Sequence, residues 1–448
     1  MSNPNISIGD GFHFDEVDPK TAVVADAQLQ RIISISPGLA GLLATATTLS
    51  QQNDVVSEPL GDLVGFVNPV DPTRGMNFAG RGFNMIFRPQ SPKTPTDLPV
   101  KVPGSDNVLE LNLTAETLSF SAPLGNVPNR GSGTQGDIFL NGVPYVQAVN
   151  DVTSLPATGI HFEPGIWLAV PPTTQPAETQ TTYSRMASIP HGVTINAQGI
   201  SLGRKSGMPD FTLPALQVNI NPFQIGGAQT PAGNHPFPSQ SVLTPGTPRI
   251  PQNLVPFNAA GTITQAILDN PNTVLKDEIA SQTIQSFVTL VITTDAAGTQ
   301  PTPPPNPTNP TAPPVTTDPG FAGGTAEIAF LTGDNHTPPQ QPNARAFKMT
   351  AVFWIETVLE TIVVPVCQAN GLPITIEAAP RPGSTLRPVF TVTPTKDITA
   401  PKKIIVPFTQ IQYSQTVFLN FNTLTWPHVS VATLIPADPI VVPISLLS

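Results

Sequence analysis

A chain of 448 residues with 20 Lys and Arg against 30 Asp and Glu carries a net charge of −10, which leaves no basic surface for nucleic acid. Only 11% of its residues are charged while 39% are apolar, alongside 55 prolines and 33 glycines; that balance excludes a disordered chain and points to a packed β core with long Pro-rich loops. A single cysteine, Cys367, excludes an internal disulfide framework and a cysteine-based zinc site.

The N-terminus, MSNPNISIGDGFHFDEVDPK, has no basic stretch leading into an apolar run, so no secretory signal is expected. No run of about 20 apolar residues occurs, so no membrane span is expected either. A cytoplasmic location follows as the expectation, with an unconventional exterior route as the alternative. Residues 21–53 place apolar side chains at helical spacing, broken at Pro37 and Gly38, and predict two short helices in an N-terminal extension over 1–69. From Gly75 the period falls to two. Strands are predicted at 75–90, 107–122, 137–150, 159–171 and 182–203, then at 284–295, 323–331, 344–358 and 408–421, the last running on into TLTWPHVSVATLIP. Pro-rich loops at 208–260 and 296–321 interrupt them, and TITQAILDNPNTVLKDEIASQ (262–282) is a helix candidate. A β-rich insertion spans 359–404, where prolines punctuate apolar, β-branched runs; it is expected to form edge strands that carry an oligomer or filament contact. The fold class is all-β: one large antiparallel barrel over 70–436, which removes sheet edges by closing on itself, with a C-terminal tail at 437–448.

The richest chemistry lies between Gly159 and Gly199, where His161, Glu163, Trp167, Arg185 and His191 occur in a chain of six histidines. His161 and Glu163 are two apart in a strand, so they share a face; they form either an acid/base or ligand-binding pair in an apolar cavity, or a polar pair closing the barrel floor. His191 sits between Pro190 and Gly192, a turn context. No HxxxH or HxH spacing supports a metal triad of His161, His191 and Glu163, and no metal site is expected. In the C-terminal strands Trp354, Glu356, Tyr413, Gln415, Trp426 and His428 read either as cavity lining or as core with satisfied polar tips. Gly80-Arg81-Gly82-Phe83-Asn84 precedes a strand rather than a helix, so it marks a barrel bend and not a dinucleotide fingerprint. Neither a GxSxG elbow nor an activated cysteine is present.

Eight stretches, GRGFNMIFRP (80–89), LELNLTAETLSF (109–120), VPNRG (127–131), DIFLNGVPYVQ (137–147), HFEPGIWLAVPPTT (161–174), RMASIPHGVTINAQG (185–199), FWIETV (353–358) and QYSQTVFLNFNTLTWPHVSVATL (412–434), carry a resemblance. The chain resembles a bacterial and fungal group of lipocalin/FABP-like (calycin-type) barrels described as haem-binding. Residues matching its motifs are His161, Glu163, Trp167, Arg185, His191, Trp354, Glu356, Tyr413, Trp426 and His428. Met76-Asn77-Phe78 stands where calycins present Gly-x-Trp. The resemblance implies a barrel that encloses a hydrophobic small molecule, haem among the cofactors considered, with His161 or His191 as axial ligand. The ligand-binding set is then His161, Glu163, Trp167, Arg185, His191, Trp354, Tyr413 and His428. Two other readings stay open: a barrel enzyme using His161 and Glu163 on an apolar substrate, and a self-assembling homo-oligomer.

Overall fold

The computed structural model describes residues 60–90, 96–100, 107–175, 177–189, 193–211, 220–224, 237–294, 323–327, 345–421 and 424–447. The expected helices at 21–53, the low-complexity loop at 296–321 and His191 lie outside them.

Ten strands form a closed antiparallel barrel: β1 (Asn77–Pro89), β2 (Asn107–Phe120), β3 (Ile138–Asp151), β4 (Thr158–Val170), β5 (Thr182–Ile189), β6 (Val193–Ser206), β7 (Thr283–Thr293), β8 (Arg345–Val364), β9 (Lys402–Phe421) and β10 (Leu424–Pro436). Each pairs with its neighbours in sequence, and β1 pairs with β10 from Phe78↔Pro436 to Ile86↔His428, which closes the ring. Closure leaves the ring no unpaired edge. Gly80 and Gly82 lie inside β1, not before a helix.

The strand count differs from the sequence reading in three places. The run at 182–203 is a hairpin, β5 and β6, whose closing pair is Ile189↔Val193. The run beginning at 408 is also a hairpin, β9 and β10, joined through residues 422–423. Conversely, 284–295 and 323–331 are one barrel position. β7 ends on β6 at Thr293↔Gln198, and Gly323–Glu327 resumes on the same strand at Gly323↔Ala197. The Pro-rich segment is thus inserted within a strand.

Period two gives each strand two faces, and here both faces are buried on one wall. On β1 and β2, Phe83, Met85, Phe87, Leu109 and Leu111 point outward into a core shared with helices α1 (Val255–Ala259), α2 (Gln265–Asp269) and α3 (Thr273–Ile279), through Leu254, Ile267, Leu268, Leu275 and Ile279. The Pro-rich connection that carries these helices is pinned by Arg249. Its fully buried guanidinium donates to the backbone carbonyls of Ser239, Ser241, Thr244, Pro251 and Gln252 at 2.6–3.3 Å. Burial with no carboxylate beside it brings Arg249 down to about 10.

The insertion prolongs the β8–β9 hairpin beyond the ring. Its strands Ile374–Glu377 and Val389–Val392 pair with each other, and Ile440–Val441 of the C-terminal tail adds in parallel. Phe390, Val392, Ile398 and Ile404 are buried in the outer core beside Val442 and Leu447. These side chains are covered by the chain itself, while Val363, Val366, Leu372 and Ile405 of the same insertion and its flanks remain exposed. Among the described residues, no helix is long and apolar enough to cross a membrane.

Candidate functional site

The lumen is built in three levels. One end is closed by a single 3-10 turn, Gly61–Phe66, whose Leu63 and Phe66, with the preceding Leu60, are buried among Phe78, Leu118, Phe120, Trp167 and Tyr183. Phe66 stacks on Phe120 at 4.3 Å, and Trp167 meets Phe353 edge-on at 5.0 Å. Tyr183 Oη accepts the Asp62 amide at 3.0 Å and fixes the turn. Gly61 has a φ of +53°, and a Cβ there would stand 2.5 Å from that same Tyr183 oxygen, so the position requires glycine.

Above the aromatic level lies a polar layer. Glu163, with no exposed surface, takes Arg185 Nη2 at 2.5 Å on Oε1, along with the Tyr145 hydroxyl, and His161 Nε2 at 3.1 Å on Oε2. Arg185 is 2% exposed and spends its other donors on Tyr145 Oη (2.7 Å), Gln415 Oε1 (2.5 Å) and Gln147 Oε1 (3.4 Å). A second carboxyl, Glu116, accepts Tyr413 Oη at 2.5 Å, Thr114 Oγ1 at 2.7 Å and Gln147 Nε2 at 3.3 Å. Strand alternation places these groups. Gln147 lies across from Glu163 on the β3–β4 ladder, and Trp167 across from Arg185 on β4–β5. Gly165 makes room for Tyr145, since a Cβ there would stand 2.6 Å from its ring.

The two carboxyls titrate in opposite directions. Burial alone would push Glu163 up, but the Arg185 guanidinium, aided by the hydrogen bonds from His161 and Tyr145, brings it down to about 2. Burial likewise weakens the hold of Arg185 on its proton, and Glu163 and Tyr145 reverse this, raising it above the ordinary value. Glu116 has no cation in contact, so burial wins and raises it despite its three donors. Tyr145 and Tyr413 are held well above the usual phenol range by burial. A pair of carboxyls pushed apart is the pattern of acid/base sites. Here, however, both are sealed under the cavity floor.

Beyond the polar layer the lumen opens into a cavity of about 610 Å³. Its floor is formed by Gln147, His161, Tyr413 and Gln415, and aliphatic walls come from Ile86, Val149, Ile189, Ile195, Val417 and Leu419. Neutral polar groups sit among them: Asn84, Asn112 and Ser430, with His428. Asn84 Oδ1 is buried without a hydrogen-bond partner. At the rim Arg88 pairs with Glu110 at 2.7 Å, both partly exposed.

Of the residues singled out in the sequence, His161, Tyr413 and His428 line this cavity, and Glu163 and Arg185 lie directly beneath its floor. Trp167 is in the lumen but sealed at the closed end. Trp354 faces outward: Phe353 and Ile355 point inside, which turns the indole onto Phe211 at 4.8 Å in the outer core. Glu356 and Trp426 share that outward side. Glu356 accepts Gln410 Nε2 at 2.6 Å, and Trp426 is buried in the outer core. The sequence reading did not single out Glu116, Tyr145, Gln147 or the rim pair. For Glu110 and Glu116 the signal was present in NVLELNLTAETLSF, where Glu110, Asn112, Thr114 and Glu116 alternate with Leu109, Leu111, Leu113 and Ala115. Among the described residues no cluster of three or more His, Cys, Asp or Glu could hold a metal ion. No family model, curated protein or solved structure matches this chain.

Proposed function

We propose that this protein binds a small amphipathic organic molecule inside its barrel. The observation that carries the reading is the cavity of about 610 Å³, aliphatic on its walls and polar on its floor, in a lumen plugged at the opposite end. Cavities of this size and character are where small-molecule ligands sit. The calycin-like resemblance supports the same reading, since the closed ten-stranded barrel is compatible with it.

Haem fits this lumen poorly. Of the two histidines considered as axial ligand, His191 lies outside the described residues, and His161 has its Nε2 held by Glu163 at 3.1 Å. Haem also brings two carboxylates, and the rim arginine, Arg88, is already paired with Glu110. The enzyme reading is weakened by the same pair: a carboxylate held near 2 is a feeble base at neutral pH, and it does not reach the cavity. Native mass spectrometry of protein purified without detergent tests the proposal. A retained small molecule, or stoichiometric uptake of the neutral dye Nile red, is expected; blocking that uptake by filling the cavity with Val417→Trp places the site. Dye binding unchanged by Val417→Trp in folded protein refutes it.

A further inference from the structure

We infer that the lumen selects an uncharged amphiphile, one headed by hydroxyl, ester or amide groups, because Glu163 occupies from within the carboxylate seat that Arg185 would otherwise offer a ligand. This rests on the lumen being the binding site. Arginine is the side chain best shaped to grip a carboxylate, through parallel N–H donors. In this barrel the guanidinium lies just below the floor, but its Nη2 is on Glu163 at 2.5 Å, its Nη1 on Gln415 at 2.5 Å and its Nε on Tyr145 at 2.7 Å. An incoming carboxylate would have to expel Glu163, itself fully buried and also bonded to His161 and Tyr145.

Most of the other titratable groups near the cavity are committed too: His161 Nε2 is on Glu163 at 3.1 Å, and His428 is the remaining imidazole of the lining. Arg88 and Glu110 neutralise each other at the rim, and Glu116 is raised toward its neutral form. A ligand that left a charge in this lumen would lose its hydration without gaining a counter-charge, which is strongly unfavourable. What the cavity offers instead is mostly amide and hydroxyl groups. Gln415 commits its Oε1 to Arg185 and keeps its amide nitrogen for a ligand, and Asn84, Asn112 and Ser430 add amide and hydroxyl groups. Walls of Ile, Val and Leu take an alkyl or alicyclic body.

The test uses the full chain loaded with Nile red at pH 7.5 and displaces the dye with decanoic acid or with 1-monodecanoylglycerol. The neutral lipid should displace at a concentration at least tenfold lower. It also leaves water more readily, so the deciding quantity is the change in that ratio on removing Glu163. Glu163→Ala frees the Arg185 seat and should shift the ratio toward decanoate by tenfold or more. Adding Arg185→Met to it should abolish the shift. Glu163→Gln, which keeps the volume and removes the charge, should shift the ratio less and serves if the alanine variant does not fold. Equal displacement of the dye by both lipids in the wild type overturns the inference while leaving the lumen as the site. An unchanged ratio in folded Glu163→Ala overturns it as well. A wild type that takes up neither dye nor lipid overturns both readings.

Discussion

Replacing Arg185 by Met isolates the electrostatics that hold the lumen floor. Glu163 falls from 4.5 to about 2 in the folded protein, and at about 1.36 kcal/mol per unit its ionised form contributes roughly 3 kcal/mol at neutral pH. The group is fully buried, so no discount for solvent screening applies. Removing one partner of a buried pair costs on the order of 3–5 kcal/mol, which agrees in size. The sign follows from the depressed folded value. The stabilisation is complete above pH 4.5 and is lost as pH falls from there through about 2. In Arg185→Met only burial and weaker hydrogen bonds remain, so the Glu163 carboxyl rises and neutralises more readily. The deficit of the variant should therefore be largest near pH 7, at least about 3 kcal/mol, and shrink as the pH is lowered, first as Glu163 of the variant takes up its proton and then below 4.5 as the wild-type contribution is lost. Urea denaturation followed by circular dichroism at pH 7, 5 and 3.5 measures it, and urea does not screen charge. Arg185→Met with Glu163→Leu should recover part of the loss, because no lone buried charge is left. A deficit below about 1 kcal/mol at pH 7 that is also independent of pH would refute the account.

Two further outcomes are expected. Glu356, fully buried on the outer wall, is raised by burial to about 8, so its neutral form fits the fold and stability is lost as pH rises from 4.5 through 8. Glu356→Gln should remove that dependence and gain at least ~2 kcal/mol at pH 8.5 relative to its effect at pH 5, read from urea midpoints; parallel pH profiles for the two proteins would contradict it. Gly165→Ala should cost about 1–3 kcal/mol by driving a methyl against the Met186 carbonyl oxygen and the Tyr145 ring, with Nile red uptake weakened as the floor shifts. Unchanged melting and uptake would contradict the close approach of Tyr145 and the Met186 carbonyl to this position.

The barrel was legible because period two survives in almost every strand, and each strand pairs with its neighbour in sequence. Less legible was which face of each strand looks inward. In β2 the leucines at 109 and 111 suggest a face turned to the lumen, yet they point out, because the helices between 255 and 279 cover that wall. Farther along the same strand Leu118 and Phe120 point inward, where the lumen is dry and plugged. An apolar residue is drawn to whichever side is covered, and the cover over β1 and β2 comes from residues more than a hundred positions downstream. The same blindness misplaced Trp354, whose indole meets Phe211 outside the barrel. The resumption of β7 after the Pro-rich segment was equally hidden, since the shared register with β6 exists only in the assembled sheet.

The His161-x-Glu163 spacing puts both side chains on one face, where they meet at 3.1 Å, and the surroundings of the carboxylate show why. A buried carboxylate needs several donors, and donors reach it only from its own face and from the faces opposite, so it binds its surroundings into a single arrangement. Glu163 draws on β3 through Tyr145, on its own strand through His161 and on β5 through Arg185, and Arg185 carries the connection across the lumen to Gln415 on β9. Below that layer side chains pack to exclusion around Trp167; above it the aliphatic walls do not meet, and the cavity remains. A barrel wide enough for ten strands cannot be filled by every side chain from its walls, so it must be plugged, left open or both. This one is plugged by Leu63 and Phe66 at one end, and the polar layer stops the packing from running through to the other. The charged network therefore forms the boundary between the packed end of the lumen and its cavity.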